Sequence, residues 1–230
     1  NDGDLDVLTT TIKHWWAGES SDAAEILHGN GDGTFARPGR DATGIAVDHL
    51  GRVDWDEGIM TGAVFDFDND GWNDVYLGGS DYPGNRGMLF HNDATASLHF
   101  TPVATDDFFE HNRSHGIAVA DFDGDGDLDV VVGHSLARCD PSQPNDCYPT
   151  ANVRYFENVV GNRGNWIELS LIGDAAHGTN RGAVGARVTV SAGGVTQTQD
   201  VGGGFGHFGA ENDLTLHFGL GDACDDVDVS

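Results

Sequence analysis

The chain has 230 residues, enough for one large domain or two small ones, and a formal net charge of −27 from 38 acidic and 11 basic residues. So negative a surface repels nucleic-acid phosphates, which excludes DNA or RNA as an expected partner. No run approaches the ~18 apolar residues of a membrane helix, and no signal peptide is visible.

The kind of acid matters as much as the number. Aspartate accounts for 31 of the acids and glutamate for 7, and Lys13 is the single lysine. Asp favours loops and caps, while Glu suits helices. With 34 glycines alongside, the composition points to a turn-rich β protein. An Asp-rich, Lys-poor surface also fits a saline habitat, since high charge keeps proteins dispersed.

In chain order, residues 1–6 read NDGDLD and are followed by a β-branched run, 7–12, expected to be one strand. Trp15 and Trp16 come next and are expected to pack between sheets rather than stack on a sugar. Residues 25–35 read as strand, Asn/Gly/Asp turn, strand, with Asp32 in a turn role. Residues 41–58 are polar and less periodic. Short apolar runs then flank two acidic stretches: 62–65 and 75–77 around 66–74, and 116–120 and 130–132 around 121–129. Further strand candidates follow each pair at 88–91 and 153–156.

Residues 121–129 read DFDGDGDLD, with Asp121, Asp123, Asp125, Asp127 and Asp129 at every second position. Carboxylates this crowded repel one another and need a cation. Hard oxygen ligands on a flexible loop suit Ca²⁺, which takes roughly 6–8 oxygens. Gly126 stands sixth, where the loop must turn sharply and a Cβ would clash. Residues 66–74, DFDNDGWND, repeat the pattern with Asp66, Asp68, Asp70 and Asp74. Residues 1–6 align with the last six positions of both loops, supplying Asp2, Asp4 and Asp6. From Asp6 to Asp74 is 68 residues, and from Asp74 to Asp129 is 55. A repeat of that period with about four short strands suggests one propeller blade per repeat. An EF-hand fails, because the twelfth positions are Leu77 and Val132 rather than Glu, and strands rather than helices follow. Nonapeptide β-roll repeats fail because the copies lie tens of residues apart.

The two complete loops, each between apolar strands, resemble the calcium loops of FG-GAP (VCBS-type) repeats, which build the β-propellers of integrin α chains and of many secreted bacterial proteins. The resemblance covers residues 1–160. It implies that the first, third, fifth and ninth side chains and the seventh carbonyl hold the ion. These are Asp66, Asp68, Asp70, Asp74 and the carbonyl of Trp72 in one copy. In the other they are Asp121, Asp123, Asp125, Asp129 and the carbonyl of Asp127. The carboxylate of Asp127 is then an extra acid. The partial first copy keeps only Asp2, Asp6 and the carbonyl of Asp4.

Near Gly161 the character changes. Strands are expected within 161–172, 182–191, 195–201, 214–218 and 227–229, with a tight turn at Gly193 and Gly194. The blocks NWIELSL, NRGAVGARVTV and LHFGLG, in that order, resemble the ASPIC/UnbV domain that follows FG-GAP repeats in secreted proteins, including the cartilage acidic protein family. The expected architecture is therefore all-β: partial propeller blades over 1–160 and a β-rich, sandwich-like domain over 161–230. Both ends of the chain read as cut.

Cys139 and Cys147 bracket a polar loop and are expected to form a disulfide, which implies an oxidising compartment; Cys224 is left over. His111 and His115 form H-x₃-H but lead into a strand, so packing is their expected role. Asn112 opens a glycosylation sequon. No nucleophile elbow or phosphate loop is present. The expectation is a non-enzymatic, Ca²⁺-stabilised binding or adhesion module, secreted, at a cell surface or in a periplasm, with a protein or glycan partner. A structural subunit of a self-assembling surface array is the alternative, and a glycan-active enzyme a lesser one.

Overall fold

The computed structural model describes residues 3–46, 56–82, 85–95, 97–104, 111, 113–142, 147–150, 153–161, 164–202, 211–224 and 226–230. The described residues are all-β, arranged as several separate antiparallel sheets; helix is confined to a single turn at Arg40–Thr43 and short 3-10 segments.

The chain begins with β1 (Val7–Thr9), β2 (Ile12–Lys13), β3 (Glu25–Gly29) and β4 (Phe35–Ala36). β1, β3 and β4 form one sheet in the order β1-β3-β4, and the hairpin expected over 25–35 is the β3–β4 pair. In its turn, Asp32 Oδ1 accepts from the Thr34 amide at 2.9 Å, the role expected of it. The single strand expected over 7–12 is instead two. At Thr10 and Thr11 the chain leaves the first sheet, and β2 joins the next. The Thr11 hydroxyl donates to the Asp22 carbonyl at 2.7 Å and its own carbonyl accepts from Ile59 at 3.0 Å, so this residue is the seam between two sheets.

That second sheet is a meander of β2, β5 (Glu57–Phe65), β6 (Asp74–Gly79), β7 (Met88–Asn92) and β8 (Phe100–Pro102). A third sheet has the order β11-β10-β9, from β9 (Ser114–Ala120), β10 (Asp129–His134) and β11 (Val153–Phe156). Four strands per repeat was the expectation; the described sheets have three, five and three strands.

The middle sheet is buried on both faces, which is why β6 carries no alternation and is buried at all six residues. Successive side chains point to opposite faces. Val75 and Leu77 accordingly join a core with Ile26, Ile59, Phe90 and Phe100. Tyr76, between them, joins a second core with Ile117, Val119, Val130 and Val132. The Tyr76 hydroxyl donates to Ser114 Oγ at 3.1 Å, so this large buried ring leaves no unmet polar atom on its tip. The three sheets thus stack face to face, as propeller blades do.

The remaining strands are β12 (Asn165–Leu169), β13 (Arg187–Ala192), β14 (Val195–Asp200), β15 (Leu216–Gly221) and β16 (Asp228–Val229). β12 pairs with β15, and β14-β13-β16 form a second sheet. Val188, Val190, Val201, Leu216 and Phe218 make a core of their own. The expected turn at Gly193 and Gly194 closes β13–β14, with φ of 56° and 85°. The strand expected at 214–218 starts instead at Leu216 and runs to Gly221, where it pairs with β12.

One packing expectation fails outright. Trp15 and Trp16 sit on a 3-10 segment, Trp15–Ser20, and are 55% and 67% exposed. Trp16 stacks on His14 at the surface, 5.0 Å between ring centres, rather than filling a gap between sheets.

Cys139 and Cys147 form the expected disulfide, and Cys224 is an exposed free thiol. His111 is buried against the rings of His134 and Tyr148, the packing role expected of it, and His115 is a half-buried residue of β9. Asn112 lies outside the described residues.

Candidate metal centre

Each complete acidic loop connects two adjacent antiparallel strands, β5 to β6 and β9 to β10. The register pairs Phe65 with Asp74 across β5–β6, and Ala120 with Asp129 across β9–β10. The loops are the same object built twice. At the first position, Asp66 accepts from the amides of Asp70 (3.1 Å) and Gly71 (2.8 Å). Asp121 accepts from those of Asp125 (3.2 Å) and Gly126 (2.9 Å). At the fifth, Asp70 and Asp125 accept from the Trp72 and Asp127 amides at 2.8 and 3.0 Å. At the ninth, one oxygen of Asp74 and of Asp129 accepts from Phe67 and from Phe122, both at 3.1 Å. These bonds wrap the backbone around the carboxylates and leave the side chains convergent.

The sixth-position glycines carry the turn. Gly71 and Gly126 have φ of 91° and 90°, and Gly3, at the aligned position of the first copy, has 90°. An L side chain rarely adopts that conformation. Gly126 meets a second demand, since a Cβ there would collide with the Trp166 indole.

Carboxylate oxygens of Asp66, Asp68 and Asp74 lie within 4.8 Å of one another, and so do those of Asp121, Asp123 and Asp129. Burial pushes the Asp66 carboxyl up to about 7 and the Asp74 carboxyl up to about 9, with the neighbouring carboxylates adding to the effect. Asp70 and Asp123 are raised too, first by burial and then by Asp68 and Asp125 respectively. Without a counter-charge these acids resist ionising. Asp68 Oδ1 is shut off from solvent and has no hydrogen-bond partner. In loop 66–74 crowded, desolvated carboxylates with an orphaned oxygen are a donor set that fits a hard divalent ion; in loop 121–129 the set has the same convergence, with Asp123 exposed.

Other expected ligands fall elsewhere. Asp70 groups with Asp68 and His91. Asp125 does not join the Asp121 set. The carboxylate of Asp127, the extra acid, turns away from the loop and accepts from Asn69 Nδ2 at 3.1 Å. In the first copy, Asp6 Oδ1 accepts from the Gly29 amide at 2.9 Å and contacts His28 Nδ1 at 2.9 Å. Asp4 and Asp6 are not part of a three-ligand cluster among the described residues, and Asp2 lies outside them.

Sequence reading missed the third strand's contribution. Asn92 and Asn158 donate their amides to Asp74 Oδ1 and Asp129 Oδ1, both at 2.7 Å. Their side-chain amides reach back to the carbonyls of Asn73 (3.0 Å) and Leu128 (3.2 Å), which are the eighth positions of the two loops. The signal was present: Phe90-His91-Asn92 and Phe156-Glu157-Asn158 share an F-x-N pattern at the end of the third strand.

The two loops also touch each other and the C-terminal sheets. Asn69 Nδ2 donates to the Gly126 carbonyl at 2.9 Å, and the Gly221 amide donates to the Asn69 carbonyl at 2.7 Å. A Cβ at Gly219 would collide with the Asp66 carboxylate, so β15 lies directly on this loop. Burial also lowers the His217 pKa, which keeps the ring neutral, and its Nε2 donates to the Gly126 carbonyl at 2.9 Å.

Residues 66–132 match the FG-GAP-like repeat. The FG-GAP-like match runs from the first aspartate of one complete loop to the strand after the other, so it contains both loops; the partial copy at 1–6 lies outside it. Residues 176–230 match the family described as ASPIC and UnbV. No curated protein matches the chain. Among the described residues no helix is long and apolar enough to cross a membrane.

Proposed function

We propose that the chain is part of an extracellular, Ca²⁺-stabilised β-propeller protein that acts as a binding or adhesion module and not as an enzyme. The observation that carries this reading is the duplicated loop. Two sites with the same backbone-to-carboxylate bonds sit at the same place in successive sheets, inside an FG-GAP-like repeat. Asp66, Asp68, Asp70 and Asp74 would hold one ion, and Asp121, Asp123, Asp125 and Asp129 the other. Trp72 and Asp127 would add carbonyls. The ion supplies charge neutralisation that lets the buried acids ionise and ties the ends of β5, β6, β9 and β10 together.

The Cys139–Cys147 disulfide supports an oxidising compartment. The order of the two matched families underlies the likeness to cartilage acidic proteins. The partner is a protein or glycan at a cell surface or in an extracellular assembly. Trp15 and Trp16, exposed and adjacent, are the aromatic pair available to it. Thermal unfolding with and without chelator tests the stabilising role. A lower melting temperature in excess EDTA, restored by Ca²⁺, is expected; identical curves contradict it.

A further inference from the structure

The two loops differ in one respect that their shared motif hides. The registers Val75 with Phe90 and Val130 with Phe156 place His91 and Glu157 at the same point beside their loops. One sheet therefore offers a nitrogen where the other offers a carboxylate. His91 Nε2 lies 3.3 Å from Asp68 Oδ2 and 3.5 Å from Asp70 Oδ2. A direct charge-assisted hydrogen bond would bring such atoms to about 2.7–2.9 Å. Two ligands each about 2.0–2.1 Å from a tetrahedral ion stand about 3.4 Å apart, which is the separation found. The ring is held in place. Phe67 packs edge-on against it at 6.0 Å, and Nδ1 on its far side is 3.9 Å from Asp93 Oδ1, beyond direct hydrogen-bond distance.

We propose that loop 66–74 is a mixed nitrogen–oxygen site for a first-row transition ion of the Zn²⁺ class, with His91, Asp68 and Asp70 as ligands, while loop 121–129 is an all-oxygen site. This rests on the reading that both loops hold cations. Imidazole favours Zn²⁺, Ni²⁺ and Cu²⁺, whereas carboxylate and carbonyl oxygens favour Ca²⁺ and Mg²⁺. Asp68 belongs both to the oxygen set with Asp66 and Asp74 and to the nitrogen set with Asp70 and His91. Zn²⁺ and Ca²⁺ therefore compete at this loop and not at its counterpart.

Calorimetric titration of the full chain with Zn²⁺ and with Ca²⁺, alongside Co²⁺ absorption spectra, tests this on the wild type, His91→Gln and Glu157→His. His91→Gln is expected to lower affinity for one equivalent of Zn²⁺ by about tenfold or more and to remove the matching Co²⁺ bands, with Ca²⁺ stoichiometry unchanged. Glu157→His is expected to create a second Zn²⁺ site. Intact Ca²⁺ binding with the same Zn²⁺ isotherm in His91→Gln overturns the proposal and assigns any Zn²⁺ to other histidines. Failure of the wild type to bind either ion overturns the calcium reading itself, and this inference with it.

Discussion

The side chain of Asn69 donates to the backbone carbonyl of Gly126 across a distance of 2.9 Å, joining two acidic loops that lie in different sheets. Asn69 is wholly buried, and the same nitrogen also reaches Asp127 Oδ1 and the Gly161 carbonyl. Its φ of 60° is left-handed, a conformation Asn tolerates better than most residues. Asn69→Ala removes one donor from the Gly126 carbonyl, which keeps its bond from His217 Nε2, and one from the Asp127 carboxylate. It is expected to destabilise the protein by about 1–3 kcal/mol in urea unfolding. Because the bond spans both loops, Ca²⁺ affinity is expected to fall at both and not only at 66–74, which titrations of the variant would read.

Gly126→Ala places a methyl in the Trp166 indole and forces an L residue to φ of 90°. A loss of about 3 kcal/mol or more is expected. Gly124 is the internal control. Its φ is 81°, but a Cβ there meets nothing within 4 Å, so Gly124→Ala carries only backbone strain, about 1–2 kcal/mol. Equal losses for the two variants would mean that the contact between loop 121–129 and Trp166 contributes nothing.

The raised carboxyls set a pH dependence with a definite sign. Asp66 and Asp74 hold protons in the metal-free fold up to about 7 and about 9, while unfolded aspartate releases its proton near pH ~4. The native state therefore binds more protons than the unfolded state across that window, so metal-free stability falls as pH rises from about 4 towards 9. Cation binding needs the ionised acids, so apparent Ca²⁺ affinity rises over the same range and binding releases protons. Melting temperatures with chelator and with Ca²⁺, measured at steps across this window, are expected to diverge as pH increases. Parallel curves would contradict the assignment.

The Cys139–Cys147 bridge closes a short loop of sequence separation 8. In the chain-entropy picture such a loop stabilises by about 2–3 kcal/mol. Cys139→Ser with Cys147→Ser is expected to lower unfolding stability by that order without altering Ca²⁺ stoichiometry. In the native protein a thiol reagent is expected to modify Cys224 alone, since it is the exposed free cysteine. Three rapid modifications would mean the bridge is absent.

What could be read from the sequence was whatever local chemistry dictates. Alternating carboxylates and a sixth-position glycine define a loop without reference to anything distant, so 66–74 and 121–129 were legible as acidic loops whose first, third and ninth carboxylates converge. The β3–β4 hairpin and the disulfide were legible for the same reason. What escaped depends on contacts far along the chain. The break at Thr10 and Thr11 arises because β1 pairs with β3 while β2 pairs with β5. Gly219 in β15 is required by the approach of Asp66 and Asn69 to that strand. His91, Asn92 and Asn158 reach the loops only once the third strand has folded back. Trp15 and Trp16 lie on a 3-10 segment and are exposed, which their apolar character gave no reason to expect.

The central claim is that the clustered aspartates cage divalent ions. Anomalous X-ray diffraction from crystals grown in Ca²⁺ tests it most directly. Two ion peaks are predicted, one among Asp66, Asp68 and Asp74 and one among Asp121, Asp123 and Asp129, with oxygen distances of about 2.3–2.6 Å. Carboxylates bridged only by water at both places, with Ca²⁺ present at millimolar concentration, would contradict it.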